Sequence, residues 1–95
     1  MALTEQDYIE VALQLDVQIV AIRYAYPKSI ETGLRVTWRA TNSHAVHIPS
    51  AWPPRKVHFR GRELEEVDSF QASCADATVD EHGWHETWET VYLPH

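Results

Sequence analysis

Leu34-Arg35-Val36-Thr37-Trp38-Arg39-Ala40-Thr41-Asn42 is the stretch that decides how the chain is read. Leu34, Val36, Trp38 and Ala40 alternate with Arg35, Thr37, Arg39 and Thr41, so one side is apolar and the other polar. A period of two, carried by β-branched and aromatic residues, predicts a half-buried strand. Gly33 before it and Asn42-Ser43 after it supply turn chemistry. The stretch is expected to be a central strand, with Trp38 inside and Arg39 in water.

Toward the C-terminus, a turn at Asn42-Ser43-His44 and a short strand over 45–48 are expected. Pro49-Ser50-Ala51-Trp52-Pro53-Pro54 reads as an extended loop, since each proline fixes φ and restricts its predecessor. Lys56-Val57-His58-Phe59-Arg60 alternates again, with Val57 and Phe59 inward, and Gly61 allows a turn. Residues 63–67 follow as a strand or sheet edge, and 69–76 are weakly patterned. Residues 77–79 and 84–93 flank Asp80-Glu81-His82-Gly83, a hairpin loop with glycine where positive φ is needed.

Toward the N-terminus two periods compete. Thr4 can cap a helix with Asp7 reaching back from the third helical position, and Leu3 and Tyr8 are spaced as a hydrophobic staple. Residues 9–19 nevertheless alternate as a strand would. The local cap signals favour a helix over roughly 4–14 and a strand over 16–25; one long strand through 8–24 is the alternative. Val17, Ile19 and Ala21 on one parity, with Val20, Ile22 and Tyr24 on the other, predict a strand apolar on both faces and therefore central.

Ninety-five residues make one domain, and 44% apolar content with four tryptophans supplies a core. No apolar run approaches the roughly 18 residues of a membrane span. No secretory signal is visible, and the single cysteine, Cys74, suits a reducing compartment, so a cytoplasmic location is expected. The net charge of −6 is segregated. Residues 1–22 carry four acids and no Lys or Arg, 23–62 hold all eight basic residues against one acid, and 63–95 carry nine acids and no Lys or Arg. Acidic strands lying beside basic ones account for such a pattern, and so does a dipolar surface that steers a charged partner or a second copy.

The run from Asp16 through Tyr26-Pro27, then Gly33, Val36-Thr37-Trp38 and Asn42, resembles bacterial immunoglobulin-like domains of the cell-adhesion-related (CARDB) type. That resemblance spans about residues 16–92 and rests on turn residues and strand spacing. It implies a mainly β, antiparallel β-sandwich over 16–93, preceded over 1–15 by a short helix or extra strand. It also implies a spacer or binding module with no catalytic residue to transfer. The opening, from Leu3-Thr4-Glu5-Gln6-Asp7-Tyr8, is similar to the start of phage endolysin muramidase domains. Where that family carries its catalytic glutamate, this chain has Tyr26-Pro27-Lys28.

Candidate sites follow from side-chain chemistry. Trp84 and Trp88 share one face of the last strand, about 13 Å apart at strand rise, with Glu86 between them. A carboxylate between two rings is costly to bury unless a cation such as Arg35 or Arg39 pairs with it, so that face is either salt-bridged or open to a partner. Trp52, followed by Arg55 and Lys56, could extend the surface. The strip Arg55, Lys56, Arg60 and Arg62 could grip phosphates, but the acidic whole opposes nucleic-acid binding. His82 and His85 form a weak metal pair around the hairpin loop, while His44 and His47, three apart on a strand, diverge. Cys74 reads as a semi-buried cysteine behaving as a small hydrophobe. The expectation is a non-catalytic binding or assembly module without cofactor, contacting a protein partner or a second copy through Trp52, Arg55, Lys56, Trp84, Glu86 and Trp88. The alternatives are a carbohydrate-binding module, a small acidic inhibitor mimicking nucleic acid, and a metal-dependent enzyme.

Overall fold

The computed structural model describes residues 3–26, 33–42, 48–49, 51–81 and 83–94, with the side chains of 73–78 and 80 left aside. The elements run α1 (Glu5–Ala12), β1 (Gln18–Tyr24), β2 (Leu34–Asn42), β3 (Lys56–Phe59), β4 (Arg62–Asp80) and β5 (Gly83–Pro94). The five strands form one antiparallel, curled sheet in the order β1-β2-β5-β4-β3. The mainly β, antiparallel expectation therefore holds. Among the described residues no helix is long and apolar enough to cross a membrane.

β2 is central, between β1 and β5, and Trp38 is buried while Arg39 is exposed. Leu34, Val36, Trp38 and Ala40 face the core together with Val57, Phe59, Leu64 and Tyr92. The polar face is not uniformly wet. Thr37 is buried beneath Glu89, which takes Arg23 at 2.8 Å and Arg35 at 3.5 Å from its two oxygens. This is the basic-beside-acidic pairing that charge segregation predicts, laid across β1, β2 and β5.

Two strand readings need correction. β1 is an edge strand, not a central one, and Val20 is exposed. Its mixed parity comes from a bulge: Ile19 pairs with Trp38 and Ala21 with Thr37, so Val20 is skipped. That skip lets both Ile19 and Ile22 pack against the core. The expected strand over 63–67 does form, but the weakly patterned 69–76 region continues it as one long strand, β4, which pairs with β3 only over Arg62–Glu65 and with β5 along most of its length. Its register slips between Glu66 and Asp68, between Gln71 and Ser73, and between Ser73 and Thr78, and each slip resets the alternation. Asp80 pairs with Gly83 at φ +130°, so the last hairpin closes one residue tighter at each end than expected. The strand expected over 45–48 falls mostly outside the described residues, as do His44, His47 and His82, and the side chain of Cys74.

The helix forms where its caps are. Thr4 Oγ1 accepts the Asp7 N–H at 3.1 Å, and Asp7 Oδ2 accepts the Thr4 N–H at 2.9 Å. The expected staple is only half made: Leu3 packs on the core, whereas Tyr8 is exposed. Val11 and Leu15 point into the core. Asp7, Glu10 and Gln14, spaced on one helical face, fasten α1 to β3. The Gln14 carboxamide donates to the His58 carbonyl at 2.6 Å and accepts the His58 N–H at 2.7 Å, continuing the ladder of an edge strand.

Arg60 and Gly61 form the two-residue turn between β3 and β4, and both have positive φ, +50° and +77°. Such a turn ordinarily takes Asn-Gly, and an arginine there is disfavoured by its Cβ. The helix holds it in place. Glu10 accepts the Arg60 N–H at 3.1 Å, Asp7 accepts its guanidinium in a two-pronged pair, and the guanidinium lies 5.0 Å over the Phe59 ring. Arg60 is held more firmly protonated chiefly by its bonds to Asp7, with Tyr24 at the far end of β1 contributing less. β1 and β3 are opposite edges of the sheet, yet Tyr24 of one and Phe59 of the other pack on the same core, as the curl requires.

Two predictions follow from these joints. Hydrogen bonds from Arg60, and then from the Thr4 N–H, hold the Asp7 carboxyl well below the usual carboxylate range. A depressed folded pKa stabilises fully above the unfolded value of about 3.9 and is lost as pH falls below it. Asp7→Asn should therefore lower the urea midpoint at pH 7, and the gap from the parent should narrow steadily below about pH 4. Gly33, at φ +154°, has no room for a side chain: a Cβ would lie 2.2 Å from the Tyr92 carbonyl oxygen. Gly33→Ala should cost about 1–3 kcal/mol, read as a lower urea midpoint with unchanged slope.

Candidate binding site

Alternation along β5 sends residues 84, 86, 88, 90 and 92 to the concave side of the sheet. There they pair with β2: Trp84 with Asn42, Glu86 with Ala40, Trp88 with Trp38, Thr90 with Val36 and Tyr92 with Leu34. Two bulky rings thus meet at the Trp38–Trp88 pair, stacked at 30° with centroids 6.0 Å apart.

Trp52 completes the cluster from the proline loop. Its ring sits edge-on to both others, 5.7 Å from Trp38 and 5.2 Å from Trp88, yet it remains 45% exposed. The loop is fixed beneath it, because Pro53 is buried and Tyr92 donates its hydroxyl to the Pro54 carbonyl at 2.7 Å. Burial pushes that tyrosine hydroxyl well above its ordinary range, and the charge of Glu66 adds to the effect. It therefore remains a donor at any working pH.

The buried indole of Trp38 is satisfied by a relay. Its Nε1–H donates to Thr90 Oγ1 at 2.9 Å, Thr90 and Ser69 hydroxyls lie 2.7 Å apart, and Ser69 donates to Glu66 at 2.9 Å. Ser69 has one proton and spends it on Glu66, so Thr90 must be the donor to Ser69. The chain of donors ends on a carboxylate, the acceptor best suited to terminate it.

At the far end of the same face the accounting is incomplete. Asn42 is fully buried, and neither its Oδ1 nor its Nδ2 has a hydrogen-bond partner among the described residues. Glu86, its diagonal neighbour across the β2–β5 ladder, is only 7% exposed. It receives one long bond, 3.3 Å from Trp88 Nε1, and no cation pairs with it among the described residues. Of the two alternatives read from the sequence, the salt bridge to Arg35 or Arg39 is not found among the described residues. Arg35 bonds Glu89 instead, because Glu89 lies three residues on and therefore on the opposite face.

The structure brings together Trp52, Trp88 and Glu86, while the half-buried Trp84 lies further along β5, opposite Asn42. Arg55 and Lys56 are exposed where the Trp52 loop enters β3, with Lys56 3.7 Å from Glu63. His85 lies on the opposite face from Glu86, its Nδ1 3.2 Å from Thr41 Oγ1. Its expected companion His82 is outside the described residues, and among those residues no three of His, Cys, Asp and Glu gather. Asn42, taken from the sequence as a turn residue, is the member that the sequence reading misses. The parity that sends Leu34, Val36, Trp38 and Ala40 inward was the available signal.

No family model, no curated protein and no solved structure matches this chain.

Replacing Thr90 with valine keeps its shape and removes both bonds of the relay. Thr90→Val should destabilise the fold by about 1–3 kcal/mol through the stranded Trp38 N–H. Thr90→Ser should recover most of that loss in chemical denaturation.

Proposed function

We propose that this chain is a non-catalytic binding and assembly module that makes protein–protein contacts through Trp52. Trp84, Glu86 and Trp88 lie behind it, with Arg55 and Lys56 at its rim. The observation that carries the reading is the state of Trp52: nearly half its surface is in water, while its ring is braced by two other tryptophans. Large aromatic side chains dominate interface energetics, and one already fixed in place loses little rotamer freedom on binding. The exposed cations beside it suit a rim that sets orientation and encounter rate. The opposite charges of residues 23–62 and 63–95 make a second copy a self-complementary partner.

An immunoglobulin-like sandwich of the cell-adhesion-related type is the finer fold reading within this proposal. Its supports are the antiparallel pairing throughout and a curl that carries β3 round toward β1.

Light scattering across a wide range of protein concentration tests the reading. Mass should rise with concentration, and Trp52→Ala should shift the curve toward monomer. Arg55→Glu, which touches no packed ring, should do the same more weakly and with a stronger dependence on salt. A strictly monomeric mass throughout, or a curve indifferent to both changes, would sink assembly through this surface.

A further inference from the structure

We infer that Asn42 and Glu86, behind the tryptophan cluster, form a receptor for an arginine side chain presented by the protein partner. This deepens the proposed function and rests on it. A carboxylate removed from water with no cation beside it is an expensive arrangement, and a fully buried carboxamide with both ends unmatched is a second cost on the same face. One ligand relieves both. Glu86 and Asn42 Oδ1 are acceptors set diagonally across the β2–β5 ladder, roughly 7–8 Å apart at the backbone. A guanidinium is a flat fork of five donors, able to bridge two acceptors that a compact ammonium would have to choose between. Its plane also suits the adjoining indole faces of Trp88 and Trp52.

The depth of the site favours a peptide arginine over other donors. Both polar groups are covered, so the ligand needs a slim stem of several carbons to reach them, which a sugar ring lacks.

The test uses Nα-acetyl-argininamide, whose only charge is the guanidinium, with Nα-acetyl-citrullinamide as its uncharged counterpart of the same shape. Tryptophan fluorescence of the intact chain should change saturably with the arginine probe, at roughly millimolar concentration for so small a ligand. The citrulline probe should bind at least about tenfold more weakly. Glu86→Gln should abolish the preference between the two while keeping the native circular dichroism, and its melting temperature should rise as an unpaired buried charge is removed. Asn42→Ala provides a second variant, expected to weaken the arginine probe without erasing the preference. Equal responses to both probes, an unchanged preference in Glu86→Gln, or stronger binding of a methyl glucoside would overturn the inference. If mass still rises with concentration in a Trp52-dependent way while the arginine probe has no effect, the contact surface stands and the arginine receptor alone falls.

Discussion

A curled sheet of five strands has a concave face that must be closed at both ends, and this chain has little to close it with. One end is shut by the eight-residue helix α1, the other by the loop that carries Trp52, Pro53 and Pro54. Helices this short are unstable alone in water, so α1 exists through its caps and its attachment to β3. The attachment is a set of three polar side chains. Asp7 grips the Arg60 guanidinium, Glu10 the Arg60 N–H, and Gln14 both backbone groups of His58. The other closure uses backbone at the loop's two ends, a bridge from Asn42 to Pro49 and the Glu66 N–H donated to the Arg55 carbonyl, with the Tyr92 hydroxyl on Pro54 between them and Trp52 laid over the rings beneath. The positive φ of Arg60 follows from this economy, since the turn residue is chosen for what it can reach on the helix rather than for backbone ease.

Much of the architecture was legible because burial imposes parity. β2 reads correctly on its inner face from Leu34 to Ala40, and Val57 and Phe59 in β3 follow the same rule. The helix cap was equally plain, as Thr4 and Asp7 act on each other within one turn and need no tertiary information. The failures share one cause, which is the extra residue. A bulge at Val20 makes β1 appear apolar on both faces, and that mimics a central strand. Three slips in β4 erase its alternation and make a nineteen-residue strand look like several weak segments. Bulges leave no residue signature as sharp as a proline or a cap, so period counting runs through them blind.

The candidate site was half legible for a related reason. Trp84, Glu86 and Trp88 were placed on one face by parity, and parity was right. What a sequence does not carry is which loop lies over that face. Trp52 is some fourteen residues beyond Trp38, and only the curl and the Tyr92–Pro54 bond bring their rings together. Asn42 was hidden by its own chemistry, because asparagine next to serine is a strong turn signal and masks the inward position it occupies.

Glu86 and Glu89 show how little separates a structural carboxylate from one that asks for a ligand. Three positions apart on a strand, they face opposite sides of the sheet. Glu89 emerges among the arginines of β1 and β2 and is matched by two of them at the edge of solvent. Glu86 turns inward to a face whose other members are rings, an alanine and an unmatched amide. Stability alone would favour glutamine or an apolar residue there, because an isolated buried charge weakens a fold that is already small. A group that the fold would be better without is most simply explained by something the fold meets. Its one bond is to Trp88, the ring against which the exposed Trp52 is braced, and that says from which side the something arrives.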